Sequence, residues 1–318
     1  MTGSASRAAE RGTLRRLGYR LLPGDGFSYV LHMRPREWPI MIAHTTLGYL
    51  LALHASSTAG DVRLGTLAAG LIVWVVLLNG GTLAINSAYD RDEGDIGYLD
   101  APPPPPKHLA MFGFSLMLAG QLLALAFPRG FAIAYAICFA MSLLYSVPPA
   151  RLKAVAGADW IINMIGFGSL TPYAGWALRD LPLTHAALLA FAGFTPLFAA
   201  LYPLTQLYQM EEDRTRGDRT LAVALGIRWS LALSIVAVCV AFLIFVRATA
   251  WPEGSTRTWA LLLAVAFCAW MAVLISWLFV GPRLSPAAPQ PRVDAALGAG
   301  AAPASARLAR GRRGRDAL

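Results

Sequence analysis

Residues 64–89 read LGTLAAGLIVWVVLLNGGTLAINSAY, and residues 90–95 that follow read DRDEGD. A long run without Asp, Glu, Lys or Arg ends abruptly in a knot of acid. A helix crossing about 30 Å of hydrocarbon needs about 20 mostly apolar residues. The stretch therefore predicts a membrane span with charge gathered at one mouth. Seven more charge-free runs of at least 18 residues lie at 38–60, 109–128, 130–150, 160–178, 181–210, 229–246 and 258–282. Read the same way, they make an all-α, polytopic bundle of eight transmembrane helices. Composition agrees: 56% of the 318 residues are hydrophobic, 14% are charged, and the mean hydropathy is +0.52. Soluble domains average about 25% charged residues. These values exclude a disulfide scaffold, a disordered chain and a nucleic-acid module built on a basic face. Cys138, Cys239 and Cys268 all fall inside predicted helices and form no paired framework.

The basic residues assign sides to the membrane. With the N-terminus in the cytoplasm and sides alternating at each helix, 22 of the 27 Lys and Arg fall on the cytoplasmic side. The outer loops hold only Arg63, Arg129, Arg179, Arg247 and Arg257. This is the asymmetry of the positive-inside rule, so the net charge of +9 reads as a topology signal rather than a nucleic-acid footprint. The first 20 residues are polar and Arg-rich, with no apolar core of a cleavable signal. Three regions are expected: a basic cytoplasmic segment over 1–30, a transmembrane domain over 31–282, and a disordered Arg/Ala/Pro-rich tail over 283–318.

Half of the 18 acidic residues lie in two loops on that same side. The first holds Asp90, Asp92, Glu93, Asp95 and Asp100, and the second Glu211, Glu212, Asp213 and Asp218. Solvated acid needs no pattern, yet both loops have one. Asn86 and Asp90 are four apart and share a face if the helix continues. Asp92 and Asp95 follow, as the helix is expected to end near Gly94. Gln206, Gln209 and Asp213 share a face at i, i+3 and i+7. Carboxylate and amide oxygens suit a hard cation such as Mg²⁺, which typically bridges one or two carboxylates to substrate phosphates. Two such clusters facing each other would hold two metals and one diphosphate. Like charges held close disfavour one another, which makes a metal close to obligatory. No His/Cys spacing for zinc is present, and His44 and His54 within the first helix read as packed residues.

On these two loops the chain resembles the UbiA superfamily of intramembrane prenyltransferases. That family carries Asn-x-x-x-Asp-x-x-x-Asp after its second helix, and Asn86 and Asp90 match it. Position 94, where the next Asp is expected, is Gly, so Asp92 or Asp95 takes its place. A second Asp motif follows the family's sixth helix; Asp213 matches its later Asp, and Gln209 stands at its earlier one. Tyr145-Ser-Val-Pro-Pro-Ala-Arg151-Leu-Lys153 and Arg34-Pro-Arg36-Glu-Trp38 also look like the family. The likeness spans roughly residues 30–280. It departs in two places: members generally have nine helices, and a ninth is not evident here. Pro102–Pro106 stand where relatives often carry an Arg-Pro segment, leaving Lys107 as the basic contact. The chain has 25 Arg and only two Lys, Lys107 and Lys153, each beside a motif.

The resemblance implies a Mg²⁺-dependent transfer of a prenyl group from a prenyl diphosphate to a hydrophobic, quinone-precursor-like aromatic acceptor, in the cell membrane. Metal and basic side chains stabilise the departing diphosphate, and the allylic cation is shielded from water. The implied metal ligands are Asn86, Asp90, Asp92, Asp95, Gln209 and Asp213. Asp90, Asp213, Lys153 and Tyr145 carry the catalysis. Asn86, Arg151, Lys153, Asn163, Arg34 and Lys107 contact substrate. Tyr145 equally fits an interfacial anchor, and Asn163, four residues after Asp159, equally fits a helix–helix hydrogen bond. Gly166, Gly168 and Gly175 read as close-packing positions. Within the family a tetrapyrrole, a carotenoid or a cyclising substrate stays open. An alcohol phosphotransferase would gather its acids along one segment opened by Asp-Gly, and a transporter would place charge at the midplane; the chain does neither.

Overall fold

The computed structural model describes residues 13–56, 62–90, 96, 99, 101–207, 209–249 and 256–280. All belong to one unit, residues 1–283. The tail over 284–318 lies outside the described residues. Among the described residues no strand forms, and two isolated bridges join Ile96 to Leu99 and Val155 to Arg219.

Two short helices, α1 (Thr13–Leu21) and α2 (Gly26–His32), precede a helical turn at Pro35–Glu37. Then come α3 (Trp38–Ala55), α4 (Leu64–Asp90), α5 (Leu109–Ala124), α6 (Arg129–Ser146), α7 (158–177) and α8 (His185–Gln206). The short α9 (Met210–Arg216) separates α8 from α10 (Leu221–Thr249) and α11 (Thr256–Val280). Each of the eight charge-free runs thus carries helix. Five helices, α4, α6, α8, α10 and α11, are long and apolar enough to cross a membrane; α5 is apolar and shorter. Both α4 and α7 widen into π-helix, over Ile72–Asn79 and Met164–Leu170. Local chemistry sets several ends. Pro39 falls in the first turn of α3, where its missing N–H removes no helical bond. The Thr184 hydroxyl caps α8 by accepting from the Ala187 N–H at 3.2 Å.

Packing divides the bundle. Trp74, Tyr135, Phe131, Tyr49 and Met117 fill one core between α3, α4, α5, α6 and α7. Ala199, Ala200, Val238, Ala241 and Leu274 fill a second between α8, α10 and α11. Lipid tails are as apolar as these side chains, so close van der Waals approach does the joining. The clearest case is α3 against α7: a Cβ added at Gly175 would strike the Thr45 carbonyl, and one at Gly48 would strike the Pro172 carbonyl. Gly168 brings α7 equally close to α8, its hypothetical Cβ lying 2.8 Å from Thr195 Cα. The close-packing reading holds for Gly168 and Gly175. Gly166 meets only Met141 Cε, at an ordinary 3.8 Å. The outer surface stays apolar: Leu122, Leu243, Val265 and Phe279 each expose more than 60% of their area. Only 6% of the apolar window of α11 is covered by protein. Such a surface calls for hydrocarbon rather than water around it.

Candidate active site

The ends of α4, α6 and α8 bring three loops to one end of the bundle. Helix α4 continues through Asp90, so Asn86 and Asp90 share a face as their spacing requires. Both meet Lys153. Its ammonium donates to Asn86 Oδ1 at 3.1 Å and pairs with the Asp90 carboxylate. Asn86 and Asp90 thus aim their oxygens at one cationic point. Lys153 is 7% exposed. Burial first, and then the nearby Arg216 guanidinium, pull its ammonium down to about 7, against the raising influence of Asp218 and Asp213.

Lys153 is delivered by the segment after α6, which carries a cis Pro148–Pro149 bond and Arg151 in the left-handed region at φ 33°. A non-glycine residue persists there only when its surroundings fix it. Here the Arg151 guanidinium forks onto Asp218, one arm to each oxygen, the second at 3.1 Å. It also lies 3.9 Å from Asp90 Oδ1. Arg216 extends the chain of charges: its guanidinium is 3.5 Å from Asp218 Oδ2 and donates to Asp213 Oδ1 at 2.8 Å. Asp213 Oδ2 accepts from the Thr220 hydroxyl at 3.2 Å. Asp90 and Asp213, 123 positions apart, are therefore linked through Arg151, Asp218 and Arg216. The main chain joins the same loops, since Arg219 N–H donates to the Ala154 carbonyl at 3.1 Å.

Beneath this layer lies a buried polar cluster. The Tyr145 and Tyr202 hydroxyls are 2.5 Å apart, and the Asn163 side chain is also bonded to Tyr145. Asp159, fully buried, accepts from Gly157 N–H at 2.8 Å, Leu221 N–H at 2.9 Å and the Gln206 amide at 2.7 Å. Gln206 in turn accepts from Ala222 N–H at 3.2 Å. Asp159 and Gln206 together cap the start of α10. The expected face shared by Gln206, Gln209 and Asp213 does not form: α8 ends at Gln206, and Gln209 becomes the residue that opens α9. A charge-free run carries no mark of where its helix stops, and the Gln206 amide finds free N–H groups at the α10 terminus. Asp159→Ala leaves three donors without their acceptor, and the buried Gln206 amide among them costs about 1–3 kcal/mol. It should lower the thermal midpoint in detergent clearly more than Asp159→Asn, which keeps one oxygen; equal midpoints would remove this capping role.

Other expected residues fall nearby or apart. Arg34, at φ 49°, pairs with Glu37 at 3.4 Å, and it acts electrostatically on Lys153. Burial raises the Glu37 carboxyl, with Arg34 opposing it. Lys107 is exposed in the turn before α5. Asp92 and Asp95 lie outside the described residues. Among the described residues no three His, Cys, Asp or Glu side chains stand close enough to hold a metal. The donor set nevertheless fits a hard cation, because Asn86 and Asp90 already converge on the Lys153 ammonium. Amide oxygens, water and phosphate complete such a shell. Asp218, Arg216, Tyr202 and Asp159 join the site without having been singled out as its ligands.

A family model described as the UbiA prenyltransferase family matches residues 41–290. The chain belongs to the UbiA prenyltransferase family. It is thus a prenyltransferase of a membrane-embedded, multi-pass family. Solved structures of a UbiA homologue from Archaeoglobus fulgidus share the fold. The one bound to DMAPP and Mg²⁺ has a TM-score of 0.61 at 19% identity, over 81% of this chain and 88% of that one. The one bound to GPP and Mg²⁺ gives the same values. A form bound to Cd²⁺ has a TM-score of 0.59 at 18% identity, over 82% and 91%. No curated protein matches the chain.

Proposed function

We propose that this UbiA-family member transfers a prenyl group from a prenyl diphosphate to a hydrophobic aromatic acceptor of quinone-precursor type. The observation that carries the reading is the convergence of Asn86, Asp90, Lys153, Arg151 and Asp213 at one end of an apolar bundle. The Archaeoglobus fulgidus homologue binding DMAPP or GPP with Mg²⁺ supports the donor class. Asn86, Asp90, Gln209 and Asp213 would hold Mg²⁺, with Asp92 or Asp95 from the segment outside the described residues. Bound Mg²⁺ supplies positive charge to the diphosphate as its bond to C1 breaks. Lys153 and Arg151 hold the diphosphate oxygens, Lys153 as a point charge and Arg151 as a fork. Tyr145, steadied by Tyr202 and Asn163, offers a hydroxyl just below. The donor's tail and the allylic cation stay among apolar helices, away from water. The acceptor ring attacks C1 and then loses its proton.

The site, the N-terminus and the tail are assigned to the cytoplasmic face. A cysteine placed at Asp92 should then react with an impermeant maleimide only from that side; labelling from outside overturns the orientation. The function is tested by incubating the purified chain with radiolabelled DMAPP and GPP, Mg²⁺ and a membrane lipid extract. One labelled aromatic product is expected. A labelled tetrapyrrole, carotenoid or cyclised donor would replace the acceptor class, and an absence of diphosphate release would remove the reading.

A further inference from the structure

About one helical turn below the tyrosine pair, three helices close around a histidine. Phe198 lies four residues before Tyr202 on α8, and Phe167 four after Asn163 on α7. At about 1.5 Å per residue, both sit roughly 6 Å deeper than the polar cluster. His44 of α3 faces them. Its ring is 4.9 Å from Phe194, at 89°, and 5.0 Å from Phe198. Phe198 stacks on Phe167 at 6.1 Å, and Phe194 packs against Phe245 at 5.0 Å. The close approaches at Gly168 and Gly175 hold α3, α7 and α8 together here.

Beside these aromatic rings, the His44 ring lies against the main chain of Gly168 and Phe167. Its Nε2 is buried and has no hydrogen-bond partner. A neutral imidazole has one N–H and one lone pair. In the tautomer that carries its proton on Nδ1, Nε2 keeps its lone pair. A buried polar atom without a partner is costly, and polar side chains inside a membrane bundle mark function by default. Phenylalanine rings also suit a cation passing from the layer above, since their faces are electron-rich.

We propose that His44 is the acceptor-binding residue: Nε2 accepts a hydrogen bond from a hydroxyl on the acceptor's aromatic ring, which lies against the edge of the Phe194, Phe198 and Phe167 group. The assignment rests on the transfer reading above and narrows it to acceptors bearing a free O–H. It places the acceptor ring next to the layer where the allylic cation forms.

The test uses the full chain in detergent with radiolabelled GPP, Mg²⁺ and paired probes: para-alkyl phenols and hydroquinones, each beside its O-methyl ether. The wild type should prefer the free hydroxyl by about tenfold or more. His44→Phe should erase that preference and raise the acceptor KM about tenfold, while the GPP KM moves less than about twofold. His44→Gln, which keeps an acceptor oxygen, should recover part of the preference and covers the case in which His44→Phe does not fold. An intact preference in the folded variants overturns the assignment. So does a wild type that releases diphosphate but prenylates none of the probes. If the wild type releases no diphosphate at all, the donor reading fails first and His44 falls with it.

Discussion

Asp90→Ala and Asp213→Ala each lower Mg²⁺-dependent diphosphate release by on the order of a thousandfold, at the upper end of what one removed charge-stabilising group costs. The two carboxylates play matching parts in different loops. Asp90 faces the Lys153 ammonium and, at 3.9 Å, Arg151. Asp213 holds Arg216 and the Thr220 hydroxyl. Both are buried enough that water does not replace a lost oxygen: their side chains are 8% and 7% exposed. Removing Asp90 takes from Lys153 the carboxylate it faces, and removing Asp213 takes from Arg216 its nearest one, each in a poorly solvated place, which is more damaging than the net worth of the pair. The measurement is release of labelled diphosphate against Mg²⁺ concentration, beside a thermal melt that shows the variants folded. Full turnover in both would remove the site assignment.

Lys153→Met comes next, with kcat expected to fall about a hundredfold or more. Lys153 is the one ammonium on the described face of this site, reaching Asn86 and Asp90 at once. Methionine keeps much of the stem's bulk and loses the charge, so the loss reports electrostatics rather than packing. Lys153→Arg should not rescue it. The pocket leaves 7% of the residue exposed, and a planar fork cannot occupy the space of a compact ammonium. A Lys153→Arg enzyme as active as the wild type would show that charge alone, without shape, is required.

The helices were legible because a charge-free run is a local property. The match of Asn86 to Asp90 was legible because one helix turn fixes it. Lys153, Arg151 and Tyr145 were readable only through resemblance, since nothing in Tyr145–Lys153 announces that it folds back onto α4. Contacts between distant segments stayed hidden. Asp218 meets Arg151 across 67 positions, and Gln206 meets Asp159 across 47. Hydrophobic periodicity carries no record of such pairs. One local sign was available: Gly217 at φ 78° ends α9 as a left-handed cap, and the residue after such a cap turns back toward the helix. That is how Asp218 comes to face the site. His44 was read as a packed residue, because a sequence shows a histidine among apolar neighbours without showing which nitrogen lacks a partner.

The fork between Arg151 and Asp218, with the Arg219–Ala154 bond beside it, has a bearing on descent. The two segments cannot drift separately. A lysine at 151 offers no second arm, and a longer acid at 218 pushes the loop away from Ala154. Among relatives, these positions are expected to change together or not at all, while the free surface around them varies at will.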